Sequence, residues 1–230
     1  MLDPIKEHDV NGFDAFWSQL EALLTSIKSS ASVFNQYLDC NPAVDRPEAA
    51  RIRRENLRAY LESAATIGRV LVVGEAAGPW GTRFSGVPFT GERQLSDSSF
   101  PYRGSQSSLS LPLIKQKRTP PFISNSSETF WNAMLIYSGR ILAWDMFPLH
   151  PHKTADALSV RNPTTREIGQ FAQAIELLMD YAQPKKVLAI GMKAYGQLQN
   201  MQLKSIYIRH PANGGNIKFK DGVRKEMNTD

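Results

Sequence analysis

Four short apolar runs, separated by segments with helical periodicity, constrain the fold of this chain more than any other feature. The first run, residues 69–74, is apolar between its opening Arg and its closing Gly, as in a strand buried on both faces. Similar runs cover residues 141–147, 186–190 and 205–208. Strands that alternate with helices predict an α/β fold with a mostly parallel sheet of four or five strands. Ligands of such sheets bind at the carboxyl ends of the strands.

The segments before and between these runs have helical spacing of apolar residues. Asn11 and Pro47 are placed to begin two helices, and two more begin near Asn162 and near Lys193. The second helix also carries basic residues beside its apolar stripe, and we expect them to form a solvated face: Arg51, Arg53, Arg54 and Arg58.

We expect a single domain over residues 1–230, with an N-terminal helical part at 1–68 and an α/β core at 69–230. Residues 98–128 are rich in Ser, Pro, Arg and Lys, which predicts a long surface loop. A loop of this length inside a compact domain is often functional.

Composition excludes several classes of protein. With 42% hydrophobic and 21% charged residues, the chain is predicted to be globular rather than disordered. Its one cysteine, Cys40, cannot form an internal disulfide or ligate an iron–sulfur cluster, and we expect no cofactor. The sequence has neither a membrane-spanning apolar run nor a signal-peptide pattern, so we expect a soluble cytoplasmic monomer, nucleoid-associated in a bacterium.

The charge distribution favours a polyanionic partner. Residues 1–69 carry 10 acidic and 8 basic side chains, whereas residues 70–230 carry 12 acidic and 19 basic ones. Since each Lys or Arg on a phosphate releases counterions, this excess is typical of nucleic-acid binding, although many other proteins are equally basic.

Three of the strand-like runs are followed by unusual segments. The first is glycine-rich and spans residues 74–92, without the pattern of a phosphate-binding loop or a dinucleotide fingerprint. The second, Trp144-Asp145-Met-Phe-Pro148, places a carboxylate at the end of an apolar strand. The third, residues 209–215, has His210 before a glycine-rich tip. Taken singly, each is also typical of an ordinary turn or cap.

The pair His150 and His152 has the spacing of two metal ligands. A carboxylate or cysteine at supporting spacing is missing, so we expect no metal site.

Together and in this order, the segments resemble the uracil-DNA glycosylase superfamily, most closely its single-strand-selective monofunctional branch. That branch carries Gly-x-Asn-Pro-Gly-Pro-x-Gly and then Thr-Gly-Val-Pro-Phe-Gly, which are similar to residues 74–81 and 85–89. Its later motifs resemble, in order, residues 130–131, 144–148, 161–164 and 210–212. The resemblance spans residues 65–217 and implies a three-layer α/β sandwich that flips a base out of DNA and cleaves its N-glycosidic bond.

The resemblance leaves open which side chain positions the attacking water, because Ala76 stands where the branch has its catalytic Asn. In a thermophilic branch that also has Ala there, the working acid lies in Phe-Thr-Gly-Asp, which is similar to Phe89-Thr90-Gly91-Glu92. We expect Glu92 to take this role, with Glu75 as the alternative. His210 is expected to donate a hydrogen bond to the departing base.

The resemblance also implies which residues contact DNA. The expected base-binding residues are Gly74, Ala76, Gly78, Pro79, Phe89 and Asp145, with Phe89 stacking on the base. The expected DNA-binding residues are Arg209, Asn213, Gly214, Gly215 and Lys218, together with Lys115, Lys117 and Arg118 of the long loop.

Asp145 stands where the family has the Asn that reads uracil. An Asn amide accepts from N3–H and donates to O4, whereas an ionised carboxylate can only accept. Three explanations are open: Asp145 is protonated, another group reads the base, or the preferred base is not uracil.

The sequence therefore predicts a monofunctional DNA glycosylase of base-excision repair that removes uracil or a related damaged base from single- or double-stranded DNA. Because Ala76 and Asp145 replace two familiar side chains, a weak or inactive glycosylase-fold protein that binds nucleic acid or modified bases is the first alternative. An unrelated α/β protein with a small ligand at its strand ends is the second.

Overall fold

A computed structural model describes residues 10–65, 70–212 and 214–229. In chain order, the helices and strands are α1 (Val10–Thr25), β1 (Val33–Phe34), α2 (Ala49–Ala65), β2 (Val70–Ala76), α3 (Thr82–Ser85), α4 (Glu92–Ser96), α5 (Asn125–Met134), a 3₁₀ helix (Leu135–Arg140), β3 (Ile141–Phe147), β4 (His150–Pro151), α6 (Thr165–Gly169), α7 (Ala172–Ala182), β5 (Lys186–Ile190), α8 (Met192–Asn200), β6 (Ile206–Ile208) and α9 (Asn216–Met227).

The central sheet has four parallel strands in the order β3-β2-β5-β6, and helices pack against it. The α/β fold predicted from the alternating runs is confirmed. The chain leaves β2 toward β3 on one side and leaves β5 toward β6 on the other. Such a switch point opens a crevice beyond the carboxyl ends of the two central strands, where ligands of open α/β sheets bind.

The N-terminal helices share the hydrophobic core of the sheet. Phe16 on α1 stacks on Tyr181 of α7 with ring centroids 4.4 Å apart. On α2, the hydroxyl of Tyr60 accepts a hydrogen bond from the backbone N–H of Ala143 at 2.7 Å. Because β3 is an edge strand, this contact satisfies a donor that the sheet leaves unpaired.

A buried charge network joins the N-terminal part to the core. Asp45 accepts two hydrogen bonds from Arg83, at 2.5 and 3.0 Å, and pairs with Arg53 at 2.5 Å. Arg53 also donates to Ser107 Oγ at 3.0 Å, and the backbone N–H of Ser107 donates to Glu92 at 2.7 Å. The two arginines and two carboxylates are all buried. Their charges balance, which makes their joint burial tolerable.

Arg53 corrects the expectation that the basic residues of α2 form a solvated face. The side chains of Arg51 and Arg58 are 59% and 45% exposed, whereas that of Arg53 is fully buried. Asp45 and Arg83 pack against α2 at this point. Burial and the charge of Arg83 lower the pKa of Arg53 to about 10, so it stays protonated at neutral pH.

His150 and His152 lie in β4 and directly after it. His150 Nδ1 lies 2.9 Å from the carbonyl oxygen of Ala77, and burial lowers its pKa to about 4. Within the described ranges, no group of three or more His, Cys, Asp or Glu has the arrangement of a metal site. No helix in these ranges is both long and apolar enough to cross a bilayer.

Asp45→Asn tests the buried charge network, because it removes the charge that Arg53 and Arg83 share. We expect the free energy of unfolding to fall by about 3–5 kcal/mol, as when other buried ion pairs lose one partner. Urea denaturation followed by circular dichroism measures it. The matched control is Asp14→Asn in the exposed pair of Asp14 with Arg58, for which we expect less than about 1 kcal/mol. Equal effects would contradict this account.

Candidate active site

The four parallel strands end along one edge of the sheet. In spatial order, this edge carries Asp145 in β3, Glu75 in β2, Gly191 after β5 and His210 after β6. Since neighbouring strands lie about 4.8 Å apart, the row from Asp145 to His210 covers three spacings, about 14 Å. The three unusual segments that follow β2, β3 and β6 therefore begin along this one edge, with the end of β5 between β2 and β6.

Asp145 and Phe89 converge over Gly74. The sheet register pairs Gly74 with Asp145, so the side-chain positions of both residues lie on the same face of the sheet. A Cβ at residue 74 would lie 2.6 Å from Asp145 Oδ1 and would collide with the edge of the Phe89 ring. Glycine is required here because those two side chains occupy the space of a Cβ.

The turn at residues 85–90 fixes the Phe89 ring. Phe89 has a φ of 56°, a left-handed conformation that is uncommon for a bulky residue and is often found at functional sites. The next residue, Thr90, is held by a hydrogen bond from Trp131 Nε1 at 3.0 Å. One face of the Phe89 ring stacks on Phe130 with centroids 4.2 Å apart, and the residue as a whole is half-buried.

Asp145 is a buried carboxyl group. It is 3% exposed, and it accepts a long hydrogen bond of 3.4 Å from Thr82 Oγ1. None of the ion pairs among the described residues includes it. Burial chiefly, and the nearby charge of Glu75, raise the pKa of Asp145 to about 7, although the Thr82 hydrogen bond opposes this. Near neutral pH the group is therefore divided between its neutral and ionised forms.

Glu75, at the neighbouring strand end, has a cation beside it. Lys193, in the first turn of α8, places Nζ 3.1 Å from Glu75 Oε1. This oxygen is shielded from solvent and has no well-oriented hydrogen bond from the described residues, so its contact with Lys193 is ionic. The pair bridges the ends of β2 and β5, at the switch point of the sheet. The Glu75 side chain is 26% exposed.

His210 follows β6 and packs on Gly191. A Cβ at Gly191 would lie 3.4 Å from the Cβ of His210, and the φ of Gly191 is +93°. His210 Nδ1 accepts a hydrogen bond from the backbone N–H of Ala212 at 3.0 Å, so the proton of the neutral ring lies on Nε2. Burial chiefly, and the charge of Arg209, lower the pKa of His210. At neutral pH the ring is therefore neutral, with Nε2–H as its donor.

The structure shows structural contacts for Glu92, the residue that the sequence analysis expected to position the water. Its carboxylate is fully buried and accepts four hydrogen bonds. The donors are the backbone N–H groups of Ser107, Ser108 and Phe122 and the hydroxyl of Ser108, at 2.7, 2.8, 3.2 and 2.7 Å. Both oxygens are occupied by the long loop, so Glu92 anchors that loop rather than facing the strand-end cleft.

The other expected base-binding residues lie in and just after β2. Ala76 and Gly78 are half-buried, and Pro79 is buried. A Cβ on Gly78 would meet open space, so the backbone is accessible at that point.

The expected DNA-binding residues lie in the long loop and after β6. Lys115, Lys117, Lys218 and Gly214 are exposed, Arg209 is half-buried, Gly215 is buried, and Asn213 lies outside the described residues. Arg118 lies over the ring of Trp80 at 5.2 Å, which brings the long loop against the segment that follows β2.

Two residues of the cleft were missed by the sequence analysis. Lys193 closely follows the strand-like run at residues 186–190, so the rule applied to the other strand ends would have identified it. Thr82 gave no sequence signal, because its contact with Asp145 joins residues 63 positions apart.

A family model of the uracil DNA glycosylase superfamily matches residues 64–228, which is more than half of the chain and includes all four strands of the central sheet. The chain belongs to this superfamily. The resemblance predicted from the strand-end motifs is thereby confirmed.

The fold is similar to that of a solved relative. The crystal structure of wild-type SMUG2 from Pedobacter heparinus matches with a TM-score of 0.54 and 13% identity, over 92% of this chain and 95% of that one. At 13% sequence identity, this similarity shows that the two proteins share a fold. A comparison with curated proteins found no match. Membership of the superfamily supports a function of the uracil-DNA glycosylase type in general.

Glu92→Gln tests the structural role of Glu92. The variant places an amide against backbone N–H donors and leaves the two arginines of the buried network in excess, so we expect the free energy of unfolding to fall by about 3 kcal/mol. The matched control is Glu75→Gln, which loses a partly exposed ion pair worth less than about 1 kcal/mol. Urea denaturation of both variants measures this. Unchanged stability of Glu92→Gln together with lost base release would restore the catalytic assignment.

Asp145→Asn tests the burial of the carboxyl group. Because the folded pKa of about 7 exceeds the ordinary value of 3.8, wild-type stability falls as the pH rises from about 4 to 7. Asparagine does not titrate, so we expect the variant to gain about 3 kcal/mol relative to wild type between pH 5 and pH 8. Urea denaturation at both pH values measures it. If the difference in the free energy of unfolding between the variant and wild type is the same at pH 5 and pH 8, the pKa of Asp145 is not raised.

Proposed function

We propose that this protein is a monofunctional DNA glycosylase that hydrolyses the N-glycosidic bond of a damaged base in DNA. The observation that carries the proposal is the placement of Glu75, Asp145 and His210 at three strand ends along the same sheet edge, in a chain of the uracil-DNA glycosylase superfamily. In this proposal Asp145 reads the flipped base and the Phe89 ring stacks on it; the two side chains lie close together over Gly74.

In this proposal Glu75 orients the attacking water. The bond between the base nitrogen and C1′ breaks, the base leaves with the bonding electrons, and positive charge develops on the sugar. Water adds at C1′ and gives up a proton, which passes by way of the Glu75 carboxylate to the departed base anion. An ionised carboxylate both orients that water and stabilises the sugar cation. Lys193 Nζ lies 3.1 Å from Glu75 Oε1. Ala76 next to it has no polar group to take this role.

His210 stabilises the departing base. The Ala212 hydrogen bond fixes the neutral tautomer, and Nε2–H, which has no hydrogen-bond partner among the described residues, donates to a carbonyl oxygen of the base. A neutral donor of this kind stabilises the leaving anion and does not need to lose a proton in the step.

Basic residues in the long loop and after β6 hold the DNA backbone in this proposal. Lys115 and Lys117 are exposed on the long loop, and Lys218 is exposed at the start of α9. Contacts with phosphates position the strand without reading its sequence.

The test is alkaline cleavage of labelled oligonucleotides that carry uracil, hypoxanthine or xanthine, in single- and double-stranded form. We expect wild type to release at least one of these bases. Glu75→Gln and His210→Ala are expected to slow single-turnover release at least 100-fold on that substrate, with unfolding curves close to wild type. The matched control is Glu128→Gln on α5, which we expect to act like wild type.

Two results would contradict the proposal. Release that is unaffected by Glu75→Gln and His210→Ala would show that the chemistry lies elsewhere. Tight binding of the damaged oligonucleotides without release would favour the alternative, a glycosylase-fold protein that binds modified bases.

A further inference from the structure

The long loop before α5 contains a short hairpin of residues 113–118. Leu113 and Arg118 form an antiparallel bridge, with backbone hydrogen bonds in both directions at 2.8 and 3.2 Å. Inside this bridge, the backbone N–H of Lys117 donates to the carbonyl oxygen of Ile114 at 3.2 Å. Lys117 has a φ of 51°, the left-handed conformation that tight turns use. The tip of the hairpin therefore has a defined backbone conformation.

Both ends of this hairpin are anchored to one buried group. The backbone N–H groups of Ser107 and Ser108, before the hairpin, donate to the Glu92 carboxylate at 2.7 and 2.8 Å. The backbone N–H of Phe122, after it, donates to the same carboxylate at 3.2 Å. Leu113 at the base of the hairpin packs against the hydrophobic cluster that includes Phe122. The hairpin is thus a supported projection from the core.

The hairpin also contacts the segment that leads into the strand-end cleft. The guanidinium group of Arg118 lies over the Trp80 ring, 5.2 Å from its centroid. Trp80 lies two residues before Thr82, whose hydroxyl donates to Asp145 at 3.4 Å. The same short segment therefore contacts the hairpin and the candidate base-binding residue.

An isoleucine is exposed at the tip of the hairpin. Ile114 is 87% exposed, the highest value among the large hydrophobic residues that the structure describes. The next three residues, Lys115, Gln116 and Lys117, are also exposed. Neither lysine belongs to an ion pair among the described residues. The tip thus combines one apolar side chain with two unpaired positive charges.

DNA has the complementary combination of chemical groups. Its phosphates attract lysines, and its stacked bases accept apolar side chains such as isoleucine between successive base steps. A single exposed apolar residue is ordinary on a protein surface. An apolar residue between two cations, on an anchored turn beside a candidate base-binding cleft, is the arrangement expected of a DNA wedge.

We propose that the hairpin of residues 113–118 is a wedge for duplex DNA: Ile114 enters the base stack beside the flipped nucleotide, and Lys115 and Lys117 bind the adjacent phosphates. This inference rests on the proposed function and adds the element that separates the base pairs.

The wedge lowers the cost of flipping a base. Rotation of a nucleotide out of the duplex unstacks its neighbours, which costs free energy. The Ile114 side chain replaces part of the lost stacking contact and is itself removed from water. Its branched side chain has few rotamers and its turn is anchored, so little conformational entropy is lost on insertion.

The test uses a duplex in which 2-aminopurine lies next to a tetrahydrofuran abasic site. No base can be released at this site, so binding is measured without catalysis. Stacking quenches the fluorescence of 2-aminopurine, and we expect wild type to increase it by unstacking this base. Ile114→Ser is expected to abolish the increase and to weaken duplex binding about tenfold, as for the loss of one buried isoleucine contact. The single strand keeps its phosphates but has no paired stack, so we expect its affinity to change less than about threefold.

The chain offers a matched control in Ile136, which is 83% exposed on the 3₁₀ helix. That helix precedes β3 and lies at the amino end of the strand, away from the cleft. Ile136→Ser is expected to act like wild type. Ile114→Met keeps an apolar tip, so we expect it to retain the fluorescence increase. Unfolding curves of all variants exclude a general loss of structure.

A double variant tests the two lysines separately from the apolar tip. Lys115→Gln with Lys117→Gln removes two phosphate contacts, so we expect the slope of log affinity against log salt concentration to become less negative by about 2. An unchanged slope would contradict the assignment of these lysines to phosphates.

A full fluorescence increase with Ile114→Ser would overturn the inference, and so would equal losses of affinity for duplex and single strand. Base release by wild type without any fluorescence increase would contradict only the wedge. The expected increase without base release from any substrate would support the wedge and contradict only the proposed catalysis.

Discussion

The buried charge network of Asp45, Arg53, Arg83 and Glu92 is the constraint on which the rest of the structure depends. It joins residues far apart in the chain, and removal of any charge leaves its partners desolvated. Arg83 directly follows Thr82, the hydrogen-bond donor to Asp145, and Glu92 closely follows the turn that carries Phe89. The network therefore fixes the two segments that shape the base-reading part of the cleft.

Three carboxyl groups in this region have different surroundings, and the surroundings determine what each can do. Glu92 accepts four hydrogen bonds and anchors a loop. Glu75 has the charge of Lys193 beside it and remains partly accessible, which suits a group that orients water. Asp145 is buried beside an acid, and its pKa is raised to about 7. The assignment of roles follows from these environments rather than from residue type.

The sequence predicted the strands well because a strand buried on both faces has a local signature: the runs at 141–147 and 186–190 coincide with β3 and β5. It predicted one helix from near Asn162, but the chain forms α6 and α7, with Phe171 between them turned onto Phe147. The burial of Arg53 and the loop contacts of Glu92 were not predicted, because their partners lie up to 54 and 30 residues away and local patterns carry no record of such contacts.

The central claim is that the edge formed by Asp145, Glu75 and His210 holds a flipped base. A crystal structure of the protein with DNA that contains 2′-fluoro-2′-deoxyuridine tests this claim most directly. We expect the uracil ring against Phe89, with its N3–H and O4 at the Asp145 carboxyl group and a carbonyl oxygen within hydrogen-bond distance of His210 Nε2. A uracil that stays stacked in the DNA, or lies outside this strand-end cleft, would contradict the account.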